Sequence, residues 1–167
     1  MEATITHIWM RFNRRWVLAG ATSGAFAGLV VLLVAVFLSV RVVGEWSQPM
    51  KLVGAMVFGE NATAYGSLGW AGFVGLWIHL GFSALFGATF AQLVHEKSSS
   101  KAMLILGLVT SFIIWVFGCQ LFGPAFNPTL KSFMPTGVGL FFHLFFGFTF
   151  GALIGKLRGY FLKSQDL

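Results

Sequence analysis

Two histidines, His79 and His143, are the only strongly polar ionisable residues deep inside the apolar stretches of this chain. Set on them, Gly75-Leu76-Trp77-Ile78-His79-Leu80-Gly81-Phe82-Ser83-Ala84-Leu85-Phe86-Gly87-Ala88 lies over Gly139-Leu140-Phe141-Phe142-His143-Leu144-Phe145-Phe146-Gly147-Phe148-Thr149-Phe150-Gly151-Ala152, with eight identities in fourteen positions. That is more than shared composition supplies, and it marks an internal repeat. An imidazole in such a place has three uses. Neutral, it donates one hydrogen bond and accepts another, and across two membrane helices each bond is worth about 1 kcal/mol. As an axial ligand it holds a macrocycle: His79 and His143 together on one b-type haem, or each on a chlorophyll-type pigment, with the 20 phenylalanines as lining. As a relay it passes protons or substrate through a small transporter. The first use needs only a facing carbonyl or hydroxyl. The second is usually accompanied by an acid that orients the ring, and none lies in these stretches. The third wants a coupled charge, and the interiors of the spans hold no Asp, Glu, Lys or Arg, Lys156 standing at the end of the last.

Catalysis is a poor fit. Gly81-Phe82-Ser83-Ala84 resembles the serine motif of intramembrane rhomboid proteases, but the only aspartate is Asp166 in the tail, so no Ser-His-Asp arrangement forms within the membrane. Ser83 also fits a stripe of small residues without any chemistry. Cys119 is the single cysteine, which rules out an intramolecular disulfide and any multi-cysteine metal site. Two histidines alone lack the further ligands of a closed zinc site. The expectation is a non-enzyme with no metal.

The elements that must position the histidines are membrane spans. The chain has 167 residues, of which 57% are hydrophobic and 10% charged, against about 25% charged in a soluble domain. Apolar runs cover 17–40, 68–94, 102–122 and 137–157, each close to the 20 or so residues that cross a hydrocarbon core. Gly123-Pro124 and Pro128 end the third run. The expected fold is an all-α, polytopic four-helix transmembrane bundle in one domain, 1–167, made of two repeated helix pairs. With the N-terminus in the cytoplasm, Arg11, Arg14, Arg15, Lys97, Lys101, Lys156, Arg158 and Lys163 lie inside and Arg41, Lys51 and Lys131 outside, eight against three. Both termini are then cytoplasmic. The net charge of +6 reflects this orientation rather than nucleic-acid binding, because the basic residues are scattered at span ends and form no basic face.

Small residues recur every fourth position through both histidines: Gly75, His79, Ser83, Gly87 and Ala91 in the second span, and Gly139, His143, Gly147, Gly151 and Gly155 in the fourth. The first span adds Gly20, Gly24 and Gly28. Such stripes let helix backbones approach where lipid supplies no hydrophobic drive between helices. A faint match, Gly28-Leu29-Val30 over Gly107-Leu108-Val109, extends the repeat to the first and third spans. Trp16, Trp46 and Trp70 fall near the interfaces, and residues 7–12 read as a short interfacial helix. The outer loop, 41–67, contains Met50 to Phe58, apolar but too short to span, which predicts a surface or re-entrant segment. Asn61-Ala62-Thr63 matches a glycosylation sequon and is read as a chance match.

The Gly-x-x-x-His-Leu pattern, present twice, with a Gly-rich first helix and Leu121-Phe122-Gly123-Pro124 closing the third, resembles the YagU-like group of small bacterial inner-membrane proteins; the best local match is Leu140 to Arg158. The resemblance implies a compact four-helix protein of the bacterial inner membrane and carries no catalytic residues. The functional expectation is an accessory subunit of a larger membrane complex, of respiratory or electron-transfer type, in contact with lipids and other membrane subunits. A haem b or chlorophyll-binding subunit using His79 and His143, and a small transporter, are the alternatives.

Overall fold

A computed structural model describes residues 13–64, 66, 68–126 and 135–163. The interfacial helix expected over 7–12, and Pro128, lie outside these residues. The described chain is helical, and four helices are long and apolar enough to cross a membrane. Helix α1 is Arg14–Val42, α2 is Gln48–Phe58 and α3 is Gly69–Leu93. Helix α4, Ser100–Ile114, widens into a π-helix, Trp115–Phe122, and ends in the single turn α5, Gly123–Phe126. Helix α6 is Thr136–Lys163.

Local chemistry sets these limits. The Asn13 side chain accepts hydrogen bonds from the Arg15 and Trp16 backbone N–H groups and so caps α1, and the Ser99 hydroxyl does the same for the Ala102 N–H of α4. Helix α1 closes on Ser39, whose carbonyl accepts from Val43 and Gly44 N–H, with Gly44 at φ 80. A proline near the start of α2 lacks a donor that the first turn does not need. The π-helical stretch of the third span runs up to Pro124, which has no N–H and whose ring crowds the carbonyl one turn earlier. Widening the turns ahead of it accommodates both defects.

Helix α1 packs on α3 and on α6, α4 packs on α6, and α2 lies along the N-terminal part of α3. Between α3 and α6 the space is filled by phenylalanines. Phe86 meets Phe146 and Phe150 edge-on at 5.2 and 5.5 Å, and Phe90 meets Phe150 at 4.9 Å. Phe90, Phe150, Met103 and Ile154 are buried with Trp16, Ala19 and Ala27 in one apolar cluster. Helix α4 has no comparable contact with α1 or α3, so the four long helices do not close into a symmetric ring.

The ends of α1, α3, α4 and α6 are tied at one end of the bundle. Asn13 Nδ2 donates to Glu96 Oε2 at 2.6 Å, Trp16 Nε1 donates to the Val94 carbonyl at 2.9 Å, and Arg158 donates to the carbonyls of Glu96 and Ser98. Trp16 is thus 3% exposed, its indole turned inward to a loop carbonyl, whereas Trp46 and Trp70 are exposed. The sequence marks an indole near an interface but not the side to which it turns. Trp16→Phe keeps the packing and removes the N–H bond; the expected loss is about 1 kcal/mol, read as a lower unfolding midpoint in detergent.

Candidate functional site

Helical spacing brings each histidine onto a face of small residues, and those faces meet specific partners. A Cβ on Gly24 would overlap the Ser83 carbonyl oxygen and lie 3.1 Å from Gly87 Cα. Gly87 in turn faces the Gly20 carbonyl, and Gly28 faces the Ser83 side chain. In the other pair, a Cβ on Gly107 would lie 2.7 Å from the Gly147 carbonyl oxygen and 3.2 Å from Gly151 Cα. Gly151 faces Met103 and Leu104, and Gly155 faces Ser100 at 3.4 Å. Gly75 belongs to a different contact: its Cβ would overlap the Met50 carbonyl, so this part of the stripe holds α2 rather than α1. Gly139 is buried, and its carbonyl is used by a histidine.

These contacts pair Gly24, not Gly28, with Gly107. Gly24 meets the Ser83 carbonyl and Gly87 Cα; Gly107 meets the Gly147 carbonyl and Gly151 Cα, the positions aligned with them around the histidines. The match of Gly28-Leu29-Val30 with Gly107-Leu108-Val109 is therefore one helical turn out of register with the packing. Glycines spaced by four keep the stripe on the same face when it slides by a turn, so letters alone cannot choose between the two.

Both imidazoles are engaged within their own helix pair. His79 Nε2 lies 2.9 Å from the Gly28 carbonyl oxygen. A carbonyl only accepts, so Nε2 carries the proton and ties α3 to α1. Ser83, one turn on, donates back to the His79 carbonyl at 2.8 Å. His143 Nδ1 lies 2.8 Å from the Gly139 carbonyl, which fixes its proton on Nδ1. Its Nε2 is then an acceptor, and the Cys119 thiol in the π-helical stretch donates to it at 3.6 Å. Ser83 is thus a helix-packing and hydrogen-bonding residue with its hydroxyl on a backbone carbonyl, and no imidazole holds it.

The geometry treats the two rings differently as ligands. In His79 the nitrogen farther from the backbone is the one spent on Gly28, so ligation through it would require breaking the α1–α3 bond. In His143 a backbone carbonyl orients Nδ1–H and Nε2 points away from its own helix, the arrangement that commonly orients a ligating histidine. Among the described residues no group of three or more His, Cys, Asp or Glu is placed to hold a metal ion. Trp115, one turn before Cys119, has a buried indole N–H without a hydrogen-bond partner.

The most densely bonded polar cluster lies elsewhere, in the segment that joins α1 to α3. Glu45 and Lys51 form an ion pair with side chains 4% exposed, and Ser47 Oγ donates to the same Glu45 oxygen at 2.6 Å. Lys51 also donates to the Ala64 and Gly66 carbonyls at 2.7 and 3.2 Å, so all three ammonium protons are used. Ser39 Oγ donates to the Glu45 carbonyl at 2.6 Å. Burial pushes the Glu45 carboxyl up, but the Lys51 ammonium and the Ser47 hydroxyl outweigh it and hold it below the usual carboxylate range. The sequence counts Lys51 only as one of three basic residues outside the membrane and offers no partner for it. The signal that finds the pair is the presence of an acid, Glu45, six residues before the lysine, with no other charged residue between them.

No family model, curated protein or solved structure matches the chain. The likeness to the YagU-like group therefore stands on the quoted residues alone.

Proposed function

We propose that the protein is a non-catalytic, helix-packing subunit of a larger membrane assembly. The observation that carries this reading is the flank of α4. Among the described residues this helix has its one extensive interhelical contact with α6, and Val109, Phe112, Ile113 and, in the π-helical continuation, Phe117 leave large apolar side chains about half exposed along the span. A transmembrane helix of another chain laid beside α4 would occupy the place that a symmetric bundle gives to a neighbour. The histidine geometry agrees, since both rings are spent on holding helix pairs. The bundle is read as two copies of one helix pair, supported by the matching contacts of Gly24 and Gly107 and by the edge-on meeting of the repeat-related Phe86 and Phe150. The end with Asn13, Glu96 and Arg158 is read as cytoplasmic from its basic residues, in a bacterial inner membrane.

The test is mild solubilisation of the full-length protein from its native membrane, followed by identification of co-purifying chains and a visible spectrum. A membrane partner in fixed stoichiometry and a colourless preparation are expected. A stable monomer with no partner would overturn the subunit reading. The haem or pigment reading has one favouring observation, the oriented Nε2 of His143. It predicts an absorption band that is lost in His143→Ala and kept in His79→Ala, whereas the packing reading predicts no band, and a loss of about 1 kcal/mol in each variant.

A further inference from the structure

We propose that the loop 94–99, the start of α4 and the end of α6 form a binding surface for anionic phospholipid headgroups, centred on Lys101 and Lys156 at the α4–α6 seam. Among the described residues this end of the bundle carries Arg14, Arg15, Lys97, Lys101, Lys156 and Arg158 against one acid, Glu96. Glu96 is already engaged by the Asn13 amide. Lys97, Lys101 and Lys156 are exposed and have no carboxylate partner among the described residues. At the opposite end the buried Lys51 is neutralised by Glu45, whereas Lys97, Lys101 and Lys156 stand exposed.

The seam gives this charge a shape. Lys101 and Lys156 each follow a residue of an α4–α6 contact at this end, Ser100 against Gly155. One turn farther along α6, a Cβ on Gly159 would meet nothing within 4 Å, so the small-residue face that packs α4 continues into open space. Arg158 is anchored beside it by the carbonyls of Glu96 and Ser98, which holds the loop against α6. Tyr160, 80% exposed, follows Gly159 as an amphipathic ring suited to the headgroup region. The open space at Gly159, with Lys101 and Lys156 on the two adjoining helix ends, leaves room for a lipid phosphate whose acyl chains run down the seam. Charge complementarity selects an anionic headgroup over a zwitterionic one.

The inference requires only that the helices cross a bilayer, and it is independent of the subunit assignment. The full-length protein, delipidated in detergent, is titrated with phosphatidylglycerol or phosphatidylcholine and bound lipid is counted by native mass spectrometry. Each cation beside an anionic headgroup contributes about a fivefold gain in affinity, so the double variant Lys101→Gln/Lys156→Gln is expected to bind phosphatidylglycerol about 25-fold more weakly. Arg41→Gln, at the other end, is expected to bind as the unaltered protein does. Raising the salt concentration with the unaltered protein is expected to erode the preference, a readout that needs no variant. Equal retention of the two lipids, undiminished phosphatidylglycerol binding by the double variant, or displacement of the lipid by millimolar inorganic phosphate would each overturn the proposal. The last of these would assign a free-anion site instead of a lipid surface.

Discussion

Gly87→Ala is expected to destabilise the protein by about 2–3 kcal/mol, a large effect for one methyl group. The added Cβ would overlap the Gly20 carbonyl oxygen and lie 3.1 Å from Gly24 Cα. Both are backbone atoms of α1, and a backbone cannot move aside by a change of rotamer. The helices must separate, and that separation strains the His79 to Gly28 bond two steps of the stripe away. Gly81→Ala on the same helix is the control, because nothing lies within 4 Å of its Cβ position and alanine favours helix by about 1 kcal/mol. Gly147→Ala is intermediate: its Cβ would lie 2.6 Å from the Gly107 carbonyl and 2.7 Å from Ser111 Cβ, a looser fit. Unfolding midpoints in one detergent should therefore fall in the order Gly81→Ala, Gly147→Ala, Gly87→Ala, from highest to lowest. Equal midpoints for Gly81→Ala and Gly87→Ala would remove close backbone packing as the basis of the α1–α3 pair.

How much of this was legible follows from what each signal encodes. A membrane span needs a long apolar run, and the runs at 17–40, 102–122 and 137–157 lie within helices long and apolar enough to cross, while 68–94 overruns its helix, Gly69–Leu93, by one residue at each end. The small-residue stripes were visible because spacing by four stays on one helical face. A stripe names a face but not its partner. Gly75 therefore looked like Ser83 and Gly87, although it holds α2 while they hold α1. The one-turn shift between Gly28 and Gly24 as the counterpart of Gly107 has the same origin. The histidines were recognised as polar groups in an apolar setting, but their partners are a backbone carbonyl on another helix and the lone cysteine, and neither leaves a pattern at a fixed spacing. The π-helical stretch was legible only as a helix end near Pro124, since propensity does not distinguish a terminated helix from a widened one. Least legible was the outer loop. Its length excluded a span, yet nothing in Met50 to Phe58 shows that α2 lies against α3 with Met50 more than a turn past Gly69.

That placement of α2 makes Lys51→Met the substitution with the largest expected cost, about 3–5 kcal/mol. The loss is not mainly that of an attraction. Lys51 and Glu45 are each 4% exposed, and removing the ammonium leaves a carboxylate out of water with Ser47 as its remaining side-chain donor. The Ala64 and Gly66 carbonyls lose donors as well. Glu45→Gln alone leaves the ammonium facing a neutral amide and is also expected to be costly. The double variant Glu45→Gln/Lys51→Met removes both charges and should recover most of the loss, because a buried ion pair contributes little beyond its own desolvation. Protease sensitivity of the 41–67 loop reads the effect locally, and a double variant no better than Lys51→Met would reject this account. Acid should imitate the single variant. The Glu45 carboxyl titrates below its ordinary value of 4.5 when folded, so its contribution is complete above that value and is lost as pH falls through the lower, folded one. The loop is therefore expected to stay protected from neutral pH down to about 4.5 and to open only in stronger acid. In Glu45→Gln that acid-induced step should be absent, because no carboxylate remains there to protonate.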